Sequence, residues 1–217
     1  MGKRVGRVLS QFPPLREMAA ARVMWLEYDS RQRLLDVGCG NGKFLVCMRN
    51  MGWKVAGVEP DAQAAAVAQH QYGIQIHPGP LEQAGLPEDS FDVVTMNHVI
   101  EHLSEPLATL VECRRVMKNN ARLVVVTPNT ESWGCRIFGS AWLHWDTPRH
   151  LFLFSPQALR ACAEQAQLRV EKLFITASLA WETYAASSLF RQGVMLSGGY
   201  RNYLRRGFGR CREARPG

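Results

Sequence analysis

Much of what this chain could be is ruled out by what it lacks. Its six cysteines, Cys39, Cys47, Cys113, Cys135, Cys162 and Cys211, include no C-x-x-C pair. They are spread evenly, so neither a zinc centre nor a disulfide framework is suggested, and free thiols in a reducing cytoplasm are expected. No internal repeat or long low-complexity segment occurs in the 217 residues. The N-terminal run MGKRVGRVLSQF is basic but holds no apolar core of signal-peptide length, and Gly6 breaks the myristoylation pattern. The best membrane candidate, Leu173 to Phe190, carries Glu182 and five Ser or Thr residues, so it is not expected to span a bilayer.

Acidic charge is scarce, but unevenly so. Residues 191–217 hold seven Arg and one Glu, a net of +6, and residues 1–33 have a net of +4. The middle, 34–190, has a net of −3 within an overall +7. A nucleic-acid enzyme lines its groove with positive charge, so a mildly acidic middle argues against nucleic acid as partner. The C-terminal tail can still make peripheral contact with an anionic membrane. Hydrophobic residues make up 47% and charged residues 21%, which suits one α/β domain with a sizeable core.

What is present begins at Leu34. Residues 34–42 read LLDVGCGNG. Leu34, Leu35 and Val37 form the apolar run of a buried parallel strand, Gly38, Gly40 and Gly42 follow at once, and Lys43 to Arg49 reads as a helix. Strand, glycine turn and helix let backbone amides approach a ligand, with partial positive charge at the helix start. A dinucleotide turn reads G-x-G-x-x-G, but here the third glycine comes one residue early and Lys43 takes its place. Asp36 would repel a pyrophosphate and suits a ligand carrying an ammonium or sulfonium group. Glu59 ends the next strand, Lys54 to Val58, where an acid can accept both hydroxyls of an adenosine ribose.

LLDVGCGNG followed by VAGVEP resembles motif I and the partner acid of class I S-adenosylmethionine-dependent methyltransferases. FDVVTMNHVIEHL, at residues 91–103, is similar to the fourth-strand block of that family. The resemblance covers about residues 34–176 and implies an α/β, Rossmann-like, doubly wound, mostly parallel sheet with helices on both faces. The seventh, antiparallel strand of the family is absent or degraded here. The resemblance also implies S-adenosylmethionine as cofactor. The expected contacts are Asp36, Gly38, Cys39, Gly40 and Gly42 at the methionine end, Glu59 and Pro60 at the ribose, Leu81 and Glu82 at the adenine, and Asn97 at the rim. Pro80 stands near the place of a family Asp that meets the adenine amine, so Leu81 and Glu82 must serve instead. Cys39 is expected there for its small size, not as a nucleophile.

Taken in order, Pro14 to Tyr28 reads as an Ala-rich helix, and residues 1–33 as an N-terminal helical segment. Further strands are expected at 33–37, 54–58, 74–77, 91–97, 123–127 and 169–176. Helices are expected from Pro60 to about Gln71, from a Ser104 cap to about Lys118, and from Ser155-Pro156 to about Ala166. Where the family has Pro-Gly-Gly, residues 118–121 read KNNA, and Asn can supply the left-handed turn. Residues 177–217 are expected to form an amphipathic helix, Trp181 to Arg191, and an Arg-rich tail.

The second informative stretch is SAWLHWDTPRHLFLFS at 140–155, which resembles a W…P-R-H-L…F-S block of one family subgroup. Methyl transfer to an oxygen of high pKa needs a general base, and His102, His144 and His150 are the candidates. Trp142, Trp145 and Arg149 are candidate substrate contacts, by stacking and by pairing with an acidic or phenolic group. His98 to His102 also matches the zinc-peptidase pattern H-x-x-E-H, but it follows a parallel strand rather than lying on a helix. Some ubiquinone-pathway O-methyltransferases carry E-x-x-E-H here and hold a divalent ion. His98 replaces the first acid, and no metal is expected. Neither N-P-P-[YF] after the fourth strand nor a Pro-Cys nucleophile occurs, which counts against base methylation. The expectation is a methyltransferase acting on a small molecule, with an oxygen acceptor on a lipid, quinone or saccharide intermediate, in the cytoplasm or peripheral to a membrane. The alternative is a cofactor-binding partner or membrane adaptor without turnover.

Overall fold

Five parallel strands form one sheet: β1 Arg33–Val37, β2 Lys54–Glu59, β3 Gln75–Pro78, β4 Phe91–Asn97 and β5 Met117–Val126, in the order β3-β2-β1-β4-β5. The structure is a computed structural model that describes residues 13–27, 32–176 and 187–188. The helices are α1 Pro13–Arg22, α2 Lys43–Asn50, α3 Ala62–Tyr72, α4 Pro106–Val116, α5 Trp133–Phe138 and α6 Pro156–Gln165.

The sequence makes this sheet because successive residues of its central strands are apolar on both sides. Leu34 and Val93 join Leu45, Met48, Ala65 and Ala68 of α2 and α3 in one cluster. Leu35, Val94 and Met96 join Leu110, Cys113 and Val116 of α4, with Leu159 and Cys162 of α6, in another. A strand buried on both faces loses the polar alternation of an antiparallel strand, which is why LLDV reads as a continuous run. Strand order grows outward from β1 to β3 and then returns to β4 on the other side of β1. The reversal opens a crevice beyond the carboxyl ends of β1 and β4.

Several elements differ from expectation. The first helix stops at Arg22, because Met24 and Trp25 take φ +51° and +55° and turn the chain, burying Leu26. Helix α4 starts after Glu105, without a Ser104 cap, and ends at Val116. The chain passes directly into β5 at Met117, which pairs with Phe91; an irregularity then restores register at Val93–Arg122. Asn120 supplies the left-handed residue of that step, at φ +64°. The strand expected at 169–176 is not formed. Phe174 and Ile175 are exposed, Phe174 meets Trp25 edge-on at 4.8 Å, and the Thr176 hydroxyl donates to Glu17 at 2.6 Å. The segment is thus tied to the α1 region and does not pair with β5. Of the expected C-terminal helix, Ser187 and Ser188 are helical, and the rest lies outside the described residues. No helix among the described residues is long and apolar enough to cross a membrane.

Candidate functional site

The glycine turn is fastened to β2 through its own amides. Gly38 N and Cys39 N both donate to Val58 O, at 2.8 and 3.1 Å, and Gly42 N donates to Cys39 O at 3.0 Å where α2 begins. Gly40 N donates to Glu59 Oε2 at 2.6 Å, and Asp61 N to Glu59 Oε1 at 2.8 Å. These four amides hold the turn in shape. What the turn offers is space. At Gly40, φ +54°, an added Cβ would meet nothing within 4 Å. At Gly38, φ +72°, it would lie 2.5 Å from a methyl of Val99, so the turn rests directly on the loop after β4. The Cys39 thiol packs over Gly57, and burial pushes its pKa up, which leaves it a packing group without nucleophilic character.

Asp36 lies between β2 and β4 with almost no exposure and accepts a hydrogen bond from the Thr95 hydroxyl at 2.7 Å. Burial pushes its pKa up to about 7; the Thr95 bond opposes the rise and the Glu59 charge adds to it. Asp36 has no cationic partner among the described residues. A buried carboxyl left in that condition is stabilised by a cationic ligand, so the donor set fits a sulfonium or ammonium group. Beside it, a cavity of about 50 Å³ is lined by Gly38, Pro60, Leu81, Glu82, Val99 and Leu103, among others. Leu81 is buried, and Glu82 Oε1 accepts from the Thr109 hydroxyl of α4 at 2.5 Å. Asn97 ends β4, backbone-paired with Val126.

Beyond Val99 the chain forms a cluster around Glu101, which is 1% exposed. Its Oε1 lies 3.1 Å from His98 Nδ1, and its Oε2 accepts from the Thr127 hydroxyl at 2.9 Å. Burial alone would raise the Glu101 pKa, but His98, its own backbone amide and Thr127 together hold it below the usual range. Its carbonyl accepts from both Leu151 N and Phe152 N, at 2.8 and 3.1 Å, which draws the 140–155 stretch onto the end of β4. His102 Nδ1 lies 2.9 Å from Arg149 O and His150 Nδ1 lies 2.7 Å from His144 O, so each Nδ1 is the donor to a backbone carbonyl. The two rings meet edge to face at 4.7 Å, while His98 and His144 stack at 5.8 Å. Burial, with His98 and His150 nearby, lowers His144 to about 4; burial also lowers His150. His98 takes φ +55°, a strained conformation of the kind that gathers at functional sites.

The other candidates have structural employment. Trp142 is buried, stacks on Phe138 at 5.7 Å and covers Gly134 so closely that a Cβ there would lie 2.3 Å from its ring. The Trp145 indole donates to Gly139 O at 2.7 Å. Arg149 is ion-paired with Asp146, three residues earlier. Sequence reasoning brought the three histidines to one stretch of chemistry but missed what joins them. Glu101 was visible only as the fourth letter of H-x-x-E-H, and Thr95 and Thr127 carry no motif at all. Asn129, after β5, was also missed; its buried Nδ2 has no hydrogen-bond partner, while its Oδ1 accepts from Glu131 N.

Comparison with known proteins gives this crevice a family. A family model described as a methyltransferase domain matches residues 11–173. The ubiquinone biosynthesis O-methyltransferase of Pseudomonas putida strain GB-1 is 29% identical over 179 residues, covering 76% of this chain and 77% of the relative. Among solved structures, an S-adenosylmethionine-dependent methyltransferase from Thermotoga maritima superposes with a TM-score of 0.59 at 24% identity, over 82% of this chain and 84% of that one. The YcgJ protein of a Bacillus superposes with a TM-score of 0.62 at 19% identity, over 82% and 81%. With three quarters of its length inside that family model and a buried acid suited to a sulfonium, the chain belongs to the methyltransferase domain family and is an S-adenosylmethionine-dependent methyltransferase.

Proposed function

We propose that the methyl acceptor is a hydroxyl oxygen of a small molecule, of the kind carried by a lipid, quinone or saccharide intermediate. The observation that supports this most is the histidine cluster around Glu101, set two residues beyond the Val99 contact with the glycine turn. Bound S-adenosylmethionine supplies an electrophilic methyl group on a sulfonium sulfur. Asp36 faces that positive charge, and the open side of Gly40 admits the methionine end. Glu59 keeps one lone pair on each oxygen after serving Gly40 and Asp61, enough to accept two ribose hydroxyls. Leu81 and Glu82 bound the cavity offered to the adenine, and Asn97, at the end of β4, is the proposed rim contact.

On the acceptor side the described residues offer hydrogen-bonding groups, with Arg149 already paired. Burial lowers His144 to about 4, Arg149 is ion-paired with Asp146, and His102 and His150 each hold a backbone carbonyl through Nδ1, which leaves Nε2 for other contacts. That set suits a phenol or alcohol, whose proton must leave as the oxygen takes the methyl group, better than a carboxylate or phosphate. The identity with an O-methyltransferase supports the same reading. The experiment is formation of S-adenosylhomocysteine by the purified protein with matched phenol, alcohol, amine and carboxylic acid acceptors. Turnover is expected with hydroxyl acceptors and should fall at least tenfold in His102→Gln. Faster turnover with amines or acids, or none with any acceptor while the cofactor binds, would refute the reading.

A further inference from the structure

We propose that Ser187 is a positioning residue for the methyl acceptor: its hydroxyl caps the helical turn Leu143–Trp145 and so fixes where His144 and His150 stand. The family model ends its match at residue 173, so Ser187 lies outside the part of the chain that the model accounts for.

The turn itself sets the need for a cap. The first amides of a helical turn have no acceptor within it and must find one outside. Trp142, which precedes this turn, provides no side-chain cap. The Leu143 amide instead donates to Ser187 Oγ at 3.2 Å, across 44 positions of sequence. A serine hydroxyl is among the side chains that serve helix starts best, though it usually comes from the residue just before them. Ser187 is 0% exposed. A hydroxyl and an amide withdrawn together from water each depend on the other for a partner.

The other hydrogen bonds of the turn are local. Trp145 N donates to Trp142 O at 3.0 Å, the Trp145 indole donates to Gly139 O, and His144 O accepts from His150 Nδ1. Among the described residues these bonds stay within 139–150, so Ser187 is what ties the turn to a distant part of the chain. The same C-terminal run is fastened a second time, where the Thr176 hydroxyl donates to Glu17 of α1.

What the turn carries connects this cap to methyl transfer. The His144 ring stacks on His98, at the end of β4, with 12° between the planes, and lies 5.1 Å from the Trp142 ring. The His144 carbonyl orients His150, whose ring meets His102 edge to face. A shift of Leu143 therefore moves His144 and, through its carbonyl, His150. The cavity beside Asp36 has no lining residue from 139–150, so the same shift leaves the cofactor side in place. Small misplacements on the acceptor side slow transfer strongly, because the reacting atoms must be aligned. The part played in turnover rests on the proposed hydroxyl acceptor; the capping of the turn does not.

The test compares the full-length parent with Ser187→Ala, which removes the acceptor, and Ser187→Cys, which keeps a side chain of similar size but accepts hydrogen bonds weakly. Three quantities are read: cofactor affinity by calorimetry, kcat and KM for a hydroxyl acceptor, and the long-range ¹⁵N–¹H correlation spectrum of the histidine rings. In both variants kcat/KM for the acceptor should fall roughly tenfold, with cofactor affinity unchanged and the His144 and His150 ring signals displaced. Unchanged ring signals in Ser187→Ala would overturn the proposal, as would a parallel loss of cofactor affinity, which marks general damage to the fold. Parent-like behaviour of Ser187→Cys would also overturn it, since shape and not the hydroxyl would then be what matters. If the parent methylates no hydroxyl acceptor, the acceptor reading falls, and the ring signals alone decide whether Ser187 holds the turn.

Discussion

Asp36 concentrates the argument at the scale of one residue. Its folded pKa of about 7 lies above the ~3.9 of an unfolded aspartate. Between those values the folded state binds the extra proton, so stability of the cofactor-free protein falls as pH rises from about 4 to 7, by at most roughly 4 kcal/mol. A cation in the crevice reverses the preference, because it favours the ionised form. Affinity for S-adenosylmethionine should therefore weaken as pH drops below about 7, approaching tenfold per unit. Asp36→Asn keeps an acceptor for the Thr95 hydroxyl but carries no charge. It should raise the Tm of the cofactor-free protein at pH 8 by several degrees and weaken the cofactor at least tenfold, as read by thermal melts and calorimetry. A lower Tm together with unchanged affinity would mean that the carboxylate is satisfied in some other way.

At the scale of elements, what was legible depended on how local the cause was. The strand–turn–helix unit at 33–50 could be read because apolar run, glycines and helix are contiguous in sequence. The use of its amides could not be read, because their acceptors, Val58 O and Glu59, belong to the next strand. The α4–β5 junction shows the same division. Asn120 at φ +64° was legible as a left-handed residue; the early start of β5 was not, because it depends on pairing with Phe91 across the sheet. Helix α5 escaped notice because its six residues are too few for an apolar period to show. The junction gives a direct measurement. Asn120→Gly should be neutral or slightly stabilising in urea denaturation, since glycine accepts positive φ freely. Asn120→Val should cost about 1–2 kcal/mol, because a β-branched side chain clashes there. Equal stability of the two variants would show that the residue does not hold this geometry in solution.

For the whole molecule, the question is why a chain with an acidic catalytic middle carries basic ends. The crevice gathers Asp36, Glu59, Glu82 and Glu101, and the net of −3 over 34–190 suits a cationic cofactor. The net of +6 over 191–217 has no such use at the crevice and is large enough to matter elsewhere. Near an anionic bilayer each basic residue contributes about 1 kcal/mol, an attraction that is screened by salt. The described surface also carries an apolar contact suited to an interface: Trp133 on α5 is 71% exposed, with the Arg136 guanidinium 5.8 Å from its ring centre. Removing residues 191–217 lowers the formal charge from +7 to +1. The full chain should co-sediment with vesicles rich in an anionic lipid at low salt, and not with neutral ones. Binding should be lost near 1 M salt, where the Debye length is about 3 Å, and should be lost at low salt when the tail is removed, while turnover of a soluble hydroxyl acceptor persists. If the shortened chain binds anionic vesicles as well as the full one, the attraction comes from the N-terminal charge or from the Trp133 surface. If neither binds, the basic ends have another purpose, and a water-soluble acceptor becomes the better reading of the crevice.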